Sequence, residues 1–310
     1  MRIDEALDKF LTSRRVNFCS PRTVDSYAEK TGHFMAFLAE HEIQDLEAIT
    51  PEMVDAWVVN LRGQRWRWTD HPYRELKAGA LSRATIAGRI RSVRIFLKWC
   101  VGRGYIPSSP AKVKVPRLSL KSGARAMKRD DLKKLLTTVS FGVLMQNDFR
   151  DLALIFFIVD TAARLGETTS LRRDKLDLEN CSAMVTGKTG ERAVYFSEAT
   201  AKALRAWLAQ RPPVTHPFVF TSSSRGEPMT GNAVYQLFRR LKKEAGITGR
   251  CSPHAIRHLI GQTFTDRGNL ELARRKLGHR NISTTADFYA GQDPERVKAA
   301  SEAFSLLGGD

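Results

Sequence analysis

Residues 161–171 read TAARLGETTSL, and they are the first of several patterns that identify the type of fold. This stretch follows residues 152–159, an apolar run that is typical of a buried helix. Arg164 comes at the end of the apolar segment, and the acidic residue Glu167 follows three positions later. Such a pair on its own is usually a local salt bridge, so its meaning depends on the patterns that come after it.

Three more patterns follow in order along the chain. Lys188 lies in a predicted tight turn between two short strands. His254 and Arg257 are three residues apart, which places both on one face of a predicted helix. The tripeptide Leu-Gly-His ends at His279, and Tyr289 follows ten residues later.

Taken together and in this order, the patterns resemble the tyrosine site-specific recombinase (phage integrase) family, over roughly residues 125–310. That family has an Arg with an acid three residues on, a Lys in a β-turn, His-x-x-Arg, Leu-Gly-His and a nucleophilic Tyr soon after. The resemblance implies that Arg164 and Arg257 clamp the scissile phosphate of DNA and that Glu167 orients this clamp. Paired arginines suit the task because they neutralise charge that gathers on phosphate oxygens in the transition state.

The same resemblance gives roles to the remaining residues. His254 and His279 would hydrogen-bond the phosphate or transfer protons, and Lys188 would be the general acid for the leaving 5′ oxygen. Tyr289 would attack phosphorus and form a covalent 3′-phosphotyrosine. Such groups are required because Tyr has a reference pKa of about 10 and a departing alkoxide needs a proton. The covalent intermediate conserves the bond energy, so rejoining needs no ATP.

Two positions depart from the family's pattern. Ala162 stands two residues before the first arginine, where the family often has Gly. Tyr289 follows His279 by ten residues rather than nine, and Phe288 fills the more usual position and cannot attack. We therefore expect the segment that carries Tyr289 to start or rotate differently.

The apolar periodicity predicts a mainly α-helical chain with one small antiparallel β-sheet. Four N-terminal helices without a strand pattern predict a small helical domain over residues 1–106, and the resemblance implies that it is the family's SAM-like core-binding domain. Residues 107–125, rich in Pro, Ser and basic residues, are predicted to be an interdomain linker. Residues 126–310 form the predicted α+β catalytic domain with its C-terminal tail, and the resemblance implies a C-shaped clamp on DNA. Its helices are predicted at 127–139, 148–162, 198–210, 231–245, 253–267 and 270–277, with short strands within 176–196.

The positive charge of the chain is concentrated in one stretch. The chain has 50 Lys and Arg against 33 Asp and Glu, a net charge of +17. Residues 60–121 hold 15 basic and 2 acidic residues, which an evenly solubilising surface would not require. This concentration indicates a grip on a polyanion such as DNA. We expect DNA contacts from eight residues: Arg62, Arg65, Arg83, Arg91, Arg94, Lys98, Lys112 and Lys114.

No cofactor and no metal are expected. The sequence has no GxxxxGK[ST] motif, and no acidic cluster lies near the patterns above. His254 and His258 have a metal-ligand spacing, but Ala255 stands where an HExxH zinc hydrolase has Glu, so His258 is assigned to packing or to indirect support of the phosphate site. The four cysteines lie far apart, and the first ten residues do not read as a signal peptide. A reduced, cytoplasmic protein is the resulting expectation.

The resemblance therefore implies site-specific recombination of double-stranded DNA through a phosphotyrosine and a Holliday junction. The resemblance implies a homotetramer on two DNA sites. We expect the tail 294–310, a predicted terminal helix with one apolar face, to dock on a neighbouring protomer, with packing on its own domain as the alternative. Because the chain starts almost directly at the core-binding helices, a separate arm-binding domain is not expected.

Two other functions remain open at this point. A type IB topoisomerase shares much of this chemistry but would relax supercoils without pairing two sites. A DNA-binding regulator with an inactive catalytic domain would bind DNA without a covalent product. Within recombination, integration or excision of a mobile element and replicon resolution are not distinguished by the sequence.

Overall fold

The computed structural model describes residues 1–64, 66–67, 77–116, 126–146, 148–187, 190–222, 226–266 and 269–278. The chain divides into two compact units, Met1–Ser119 and Leu120–Asp310. Each unit has its own hydrophobic core. Within the described residues, no helix has the length and apolar character needed to cross a membrane.

The first unit is built on four helices, and the last three each begin after a residue whose side chain caps the helix. The helices are α1 (Ile3–Val16), α2 (Pro21–Glu40), α3 (Pro51–Gly63) and α4 (Arg83–Gly102). Ser20, Thr50 and Ser82 precede the last three, and each side chain accepts a hydrogen bond from the backbone three residues on. Large apolar side chains fill the core between the helices: Phe10, Phe34, Trp57 and Phe96.

Two further segments complete this unit. Two-residue strands β1 (Trp66–Arg67) and β2 (Lys77–Ala78) pair antiparallel in a region whose sequence has no strand pattern. Strands this short leave no alternating pattern to recognise. In addition, residues 109–116, within the described part of the predicted linker, pack on the core of the first unit, because Ala111 is buried and Val113 and Val115 contact that core.

The second unit combines seven helices with a three-stranded sheet among its described residues. The strands β3 (Leu176–Asp177), β4 (Ser182–Gly187) and β5 (Gly190–Tyr195) are antiparallel in the order β3-β4-β5. The helices are α5 (Arg129–Gln146), α6 (Phe149–Thr161), α7 (Leu165–Thr169), α8 (Glu198–Gln210), α9 (Gly231–Glu244), α10 (Pro253–Asp266) and α11 (Leu270–Leu277). The mainly helical prediction with a small antiparallel sheet is confirmed.

Helix α6 runs through the centre of the second core. Its residues Leu154, Ile155, Phe157 and Ile158 are fully buried, as expected for a helix that is apolar around most of its circumference. Helix α8 packs along it, and the carboxylate of Asp160 binds the first turn of α8 through Ser197 and Thr200. The end of α6 is thus fixed, and the candidate active site begins there.

Candidate active site

The chain leaves α6 through a left-handed residue. Ala162 has φ 52° and ψ 27°, a left-handed conformation that is usually adopted by Gly at the end of a helix. Its methyl group is buried against Leu277 and Ile260. Its carbonyl oxygen accepts a hydrogen bond from Nη1 of Arg257 at 2.5 Å. The family's usual Gly is therefore replaced by a strained Ala whose side chain contributes to packing.

Arg164 and Glu167 form a closed unit at the start of α7. The backbone N–H of Arg164 donates to Oε2 of Glu167 at 2.8 Å, and Nη1 of Arg164 donates to Oε1 at 2.8 Å. The two residues are therefore held by a capping contact and an ion pair together. The spacing of three residues therefore produces a local salt bridge.

The Glu167 carboxylate is buried between two guanidinium groups. It is 2% exposed, and Nη2 of Arg192 donates to its Oε2 at 2.8 Å. Burial would raise the pKa of Glu167, but the hydrogen bonds from Arg192 and Arg164 outweigh it and lower the pKa to about 2. A Cβ on Gly187 would lie 2.8 Å from Oε1, so the strand β4 can approach the carboxylate only because it ends in Gly.

Three arginines donate to the last carbonyls of α11 and its cap. Arg192 donates to Lys276 O at 3.3 Å, Arg257 donates to Leu277 O, and Arg164 donates to Gly278 O at 3.2 Å. These carbonyls accept no hydrogen bond within the helix, and they form the negative end of its dipole. The C-terminus of α11, directly before His279, thus fixes the guanidinium groups of both predicted clamp residues.

His254 and His258 form a pair on α10. Their Nε2 atoms are 2.9 Å apart, so one ring donates a hydrogen bond to the other. His254 is exposed, whereas His258 is 4% exposed. The described part of the chain contains no group of three or more side chains arranged to hold a metal ion.

Several predicted residues lie outside the described residues: Arg65, Lys188, His279, Tyr289 and the tail 294–310. The structure brings Arg164, Arg257 and Glu167 together, since both arginines bind the end of α11. His254 lies one turn before Arg257 on α10.

Seven of the predicted DNA-binding residues line two grooves beside residues 109–116. One groove, of about 630 Å³, has the cations Arg62, Arg83 and Lys114 over the apolar residues Ile86 and Ile90. A second groove, of about 550 Å³, is lined by Arg91, Arg94, Lys98 and Lys112. All seven cations are exposed, and none forms an ion pair with the described part of the chain. We call these seven residues the basic face.

Arg192 is a site residue that the sequence patterns did not assign. It pairs with Val185 in the sheet register and shares a face of β5 with the buried Val194. A charged residue at an inward position of an alternating strand is the sequence signal that could have identified it, because such residues are rarely buried without a partner.

Known proteins match both units of the chain. The Phage integrase family model matches residues 125–296, and the model of the phage integrase N-terminal SAM-like domain matches residues 7–104. Tyrosine recombinase XerC of Proteus mirabilis is 29% identical over 212 residues, 66% of this chain and 67% of that protein. XerC of Pelotomaculum thermopropionicum is 26% identical over 304 residues, 94% of this chain and 95% of that protein. The structure of the Tn1549 transposon integrase with transposon right end DNA has a TM-score of 0.74 at 17% identity, covering 99% of this chain and 100% of that chain.

Since the family model covers more than half of the chain, the protein belongs to the phage integrase family. The predicted resemblance is therefore confirmed. The chain is a tyrosine recombinase, an enzyme of site-specific recombination that breaks and rejoins DNA strands.

Proposed function

We propose that this enzyme cleaves one strand of double-stranded DNA with Tyr289 as the nucleophile, leaving a 3′-phosphotyrosine. The single observation that carries this proposal is the arginine clamp: Arg164 and Arg257 are both fixed at the end of α11. Fixed guanidinium groups act on the charge that develops on the phosphate oxygens without first having to reorganise.

The other assigned residues complete the chemistry. Lys188 donates a proton to the leaving 5′ oxygen, and His254 and His279 hydrogen-bond the phosphate or move protons. In the reverse step, the free 5′ hydroxyl attacks the phosphotyrosine, Tyr289 leaves, and the phosphodiester forms again. No metal or nucleotide takes part in this scheme.

The test is a nicked suicide substrate, from which the cleaved end diffuses away and traps the covalent complex. We expect Tyr289→Phe to bind DNA normally and to form no covalent complex, because only the phenolic oxygen can attack. Tyr195→Phe and Tyr235→Phe are matched controls, since both residues are exposed tyrosines of the same unit. Covalent product in Tyr289→Phe, or an adduct located on Tyr195 or Tyr235 by mass spectrometry, would contradict the assignment.

DNA binding by the first unit is assigned to the basic face. Seven exposed cations, none of them in an ion pair with the described residues, are available to replace the counterions of a DNA backbone. Residues 109–116 supply two of them, Lys112 and Lys114, at the edges of the two grooves. Arg65 is assigned to the same surface from its place in the sequence alone.

The assembly that we infer is a homotetramer on two DNA sites, with strand exchange through a Holliday junction. The tail 294–310 then docks on the neighbouring protomer and links the state of each Tyr289 to that of the next subunit. Removal of residues 295–310 should keep single-site binding and the fold while weakening synapsis and recombination. An unfolded truncated protein, or normal recombination by it, would contradict this role.

The biological reaction that we infer is integration or excision of a mobile element, or resolution of a replicon. Relaxation of supercoiled DNA without pairing of two sites would instead support the topoisomerase alternative. The cytoplasm is the proposed compartment, because all four cysteines are free thiols and the substrate is DNA.

A further inference from the structure

Arg192 connects three parts of the candidate site. Its side chain is 16% exposed and points inward from β5. Nη2 donates to Glu167 Oε2 at 2.8 Å, and Nη1 donates to Lys276 O at 3.3 Å. One guanidinium group therefore joins the hairpin, the start of α7 and the end of α11.

The local packing leaves this group little freedom. Gly278 has φ 59°, and a Cβ there would lie 2.6 Å from Cδ of Arg192. A Cβ on Gly187 would lie 2.8 Å from Oε1 of Glu167. Both partners of the ion pair are thus enclosed by glycines that approach within contact distance, and the pair is held in one geometry.

The charges explain what this geometry does for Arg164. Glu167 shares its carboxylate between Arg164 through Oε1 and Arg192 through Oε2. These three side chains carry a net charge of +1 together. Without Arg192 their sum is zero, and the whole carboxylate charge acts on Arg164. A neutralised Arg164 would stabilise the developing charge on a phosphate less, because electrostatic stabilisation depends on the net fixed charge near the reacting atoms.

We propose that Arg192 is a positioning residue for strand cleavage: it neutralises and fixes Glu167, so that Arg164 stays oriented and its charge acts on the scissile phosphate. The proposal rests on the proposed role of Arg164 at that phosphate. Arg192 itself needs no contact with the DNA to act in this way.

The first experiment compares Arg192→Met and Arg192→Lys with the wild type in the full-length protein. The rate constant for covalent complex formation on the suicide substrate is measured at saturating protein, together with DNA affinity and thermal unfolding. We expect Arg192→Met to lower the rate constant about 10- to 100-fold. This is the range found when a residue that orients a metal-binding side chain is lost. Arg192→Lys keeps the charge and should recover much of the rate.

Arg205→Met is the matched control. Arg205 on α8 also bridges a carboxylate and a carbonyl, donating to Glu198 Oε1 at 2.5 Å and to Leu178 O at 2.8 Å. It has no contact with Arg164 or α11 among the contacts of the described residues. Its loss should leave the cleavage rate constant unchanged, even if the unfolding temperature falls.

A double-mutant cycle with Glu167→Gln separates positioning from general stabilisation. Once the carboxylate charge is gone, Arg192→Met should cost little further rate, so the two losses should not multiply. If the rate losses of the two single variants multiply in the double variant, the role of Arg192 is overturned. An Arg192→Met rate constant equal to that of the wild type would overturn it as well. A wild type that forms no covalent complex at all would overturn the proposed function itself, and this role with it.

Discussion

The clamp at the end of α11 and the basic face of the first unit both present cations, but they hold them differently. Arg257 is 5% exposed, and both of its terminal nitrogens donate to backbone carbonyls. Arg91, Arg94 and Lys98 on α4 are exposed and have no ion pair with the described residues. The clamp arginines therefore have one position each, whereas the cations of the basic face keep their hydration and rotamer freedom.

The same positive charge therefore serves two purposes in the two regions. A fixed, desolvated cation acts on charge that develops at one place, so its loss affects the chemical step. A hydrated cation contributes to affinity by releasing counterions, so its neighbours can compensate for its loss. Substitutions in the clamp should be individually severe, and substitutions in the basic face should be graded.

The largest effect is expected from Arg257→Lys. Lysine keeps the charge but offers one nitrogen, which cannot donate to the carbonyls of both Ala162 and Leu277 while facing a phosphate. We expect the cleavage rate constant to fall by about 10²–10³, as for the loss of one positioned donor. Arg239→Lys, at an exposed position of α9, is the control and should have no effect. A fall of less than about tenfold would remove the distinction between clamp and surface.

A smaller and more gradual effect is expected when Arg91, Arg94 and Lys98 are all replaced by Gln. Each lost phosphate contact should reduce the slope of log affinity against log salt concentration by about 0.9, so three contacts reduce it by at most about 2.7. Each single replacement should account for about a third of that change. The slope is measured by titrating DNA binding over a salt series. An unchanged slope would mean that this part of α4 does not face DNA.

The buried carboxylate of Glu167 should also make the stability of the protein depend on pH. The pKa of Glu167 is lowered to about 2 in the folded protein, so the stability it contributes is present above its unfolded pKa of about 4.3 and is lost as pH falls toward 2. This contribution is about 3 kcal/mol at neutral pH. The difference in unfolding free energy between the wild type and Glu167→Gln, from denaturant titrations, should therefore shrink below about pH 4. A difference independent of pH would contradict the buried ion-pair geometry.

Most of the fold could be predicted because its signals are local. Ser20, Thr50 and Ser82 mark the starts of three helices, and Ile90, Val93 and Leu97 form the apolar face of α4. Such caps and periodicities depend only on nearby residues. The strands β1 and β2 and the packing of Ala111 on the first core could not be predicted, because both depend on partners distant in sequence.

The candidate site likewise has some features that could be predicted from the sequence and others that could not. The ordered patterns of the family assigned Arg164, Glu167 and Arg257 to one site, and the structure brings these residues together. The attachment of Arg164 and Arg257 to carbonyls of Gly278 and Leu277 could not be predicted, because backbone acceptors leave no mark in the sequence. The left-handed conformation of Ala162 was equally hidden, since only Gly would have signalled it.

The different roles of the clamp and the basic face are tested most directly by single-turnover cleavage of the suicide substrate as protein concentration is raised to saturation. The triple variant of Arg91, Arg94 and Lys98 should need more protein but reach the wild-type rate constant, because only binding is weakened. Arg257→Lys should stay slow at every concentration, because its defect lies in the chemical step. A triple variant that stays slow at saturation, or an Arg257→Lys protein that reaches the wild-type rate constant, would contradict the division between a fixed clamp and a hydrated basic face.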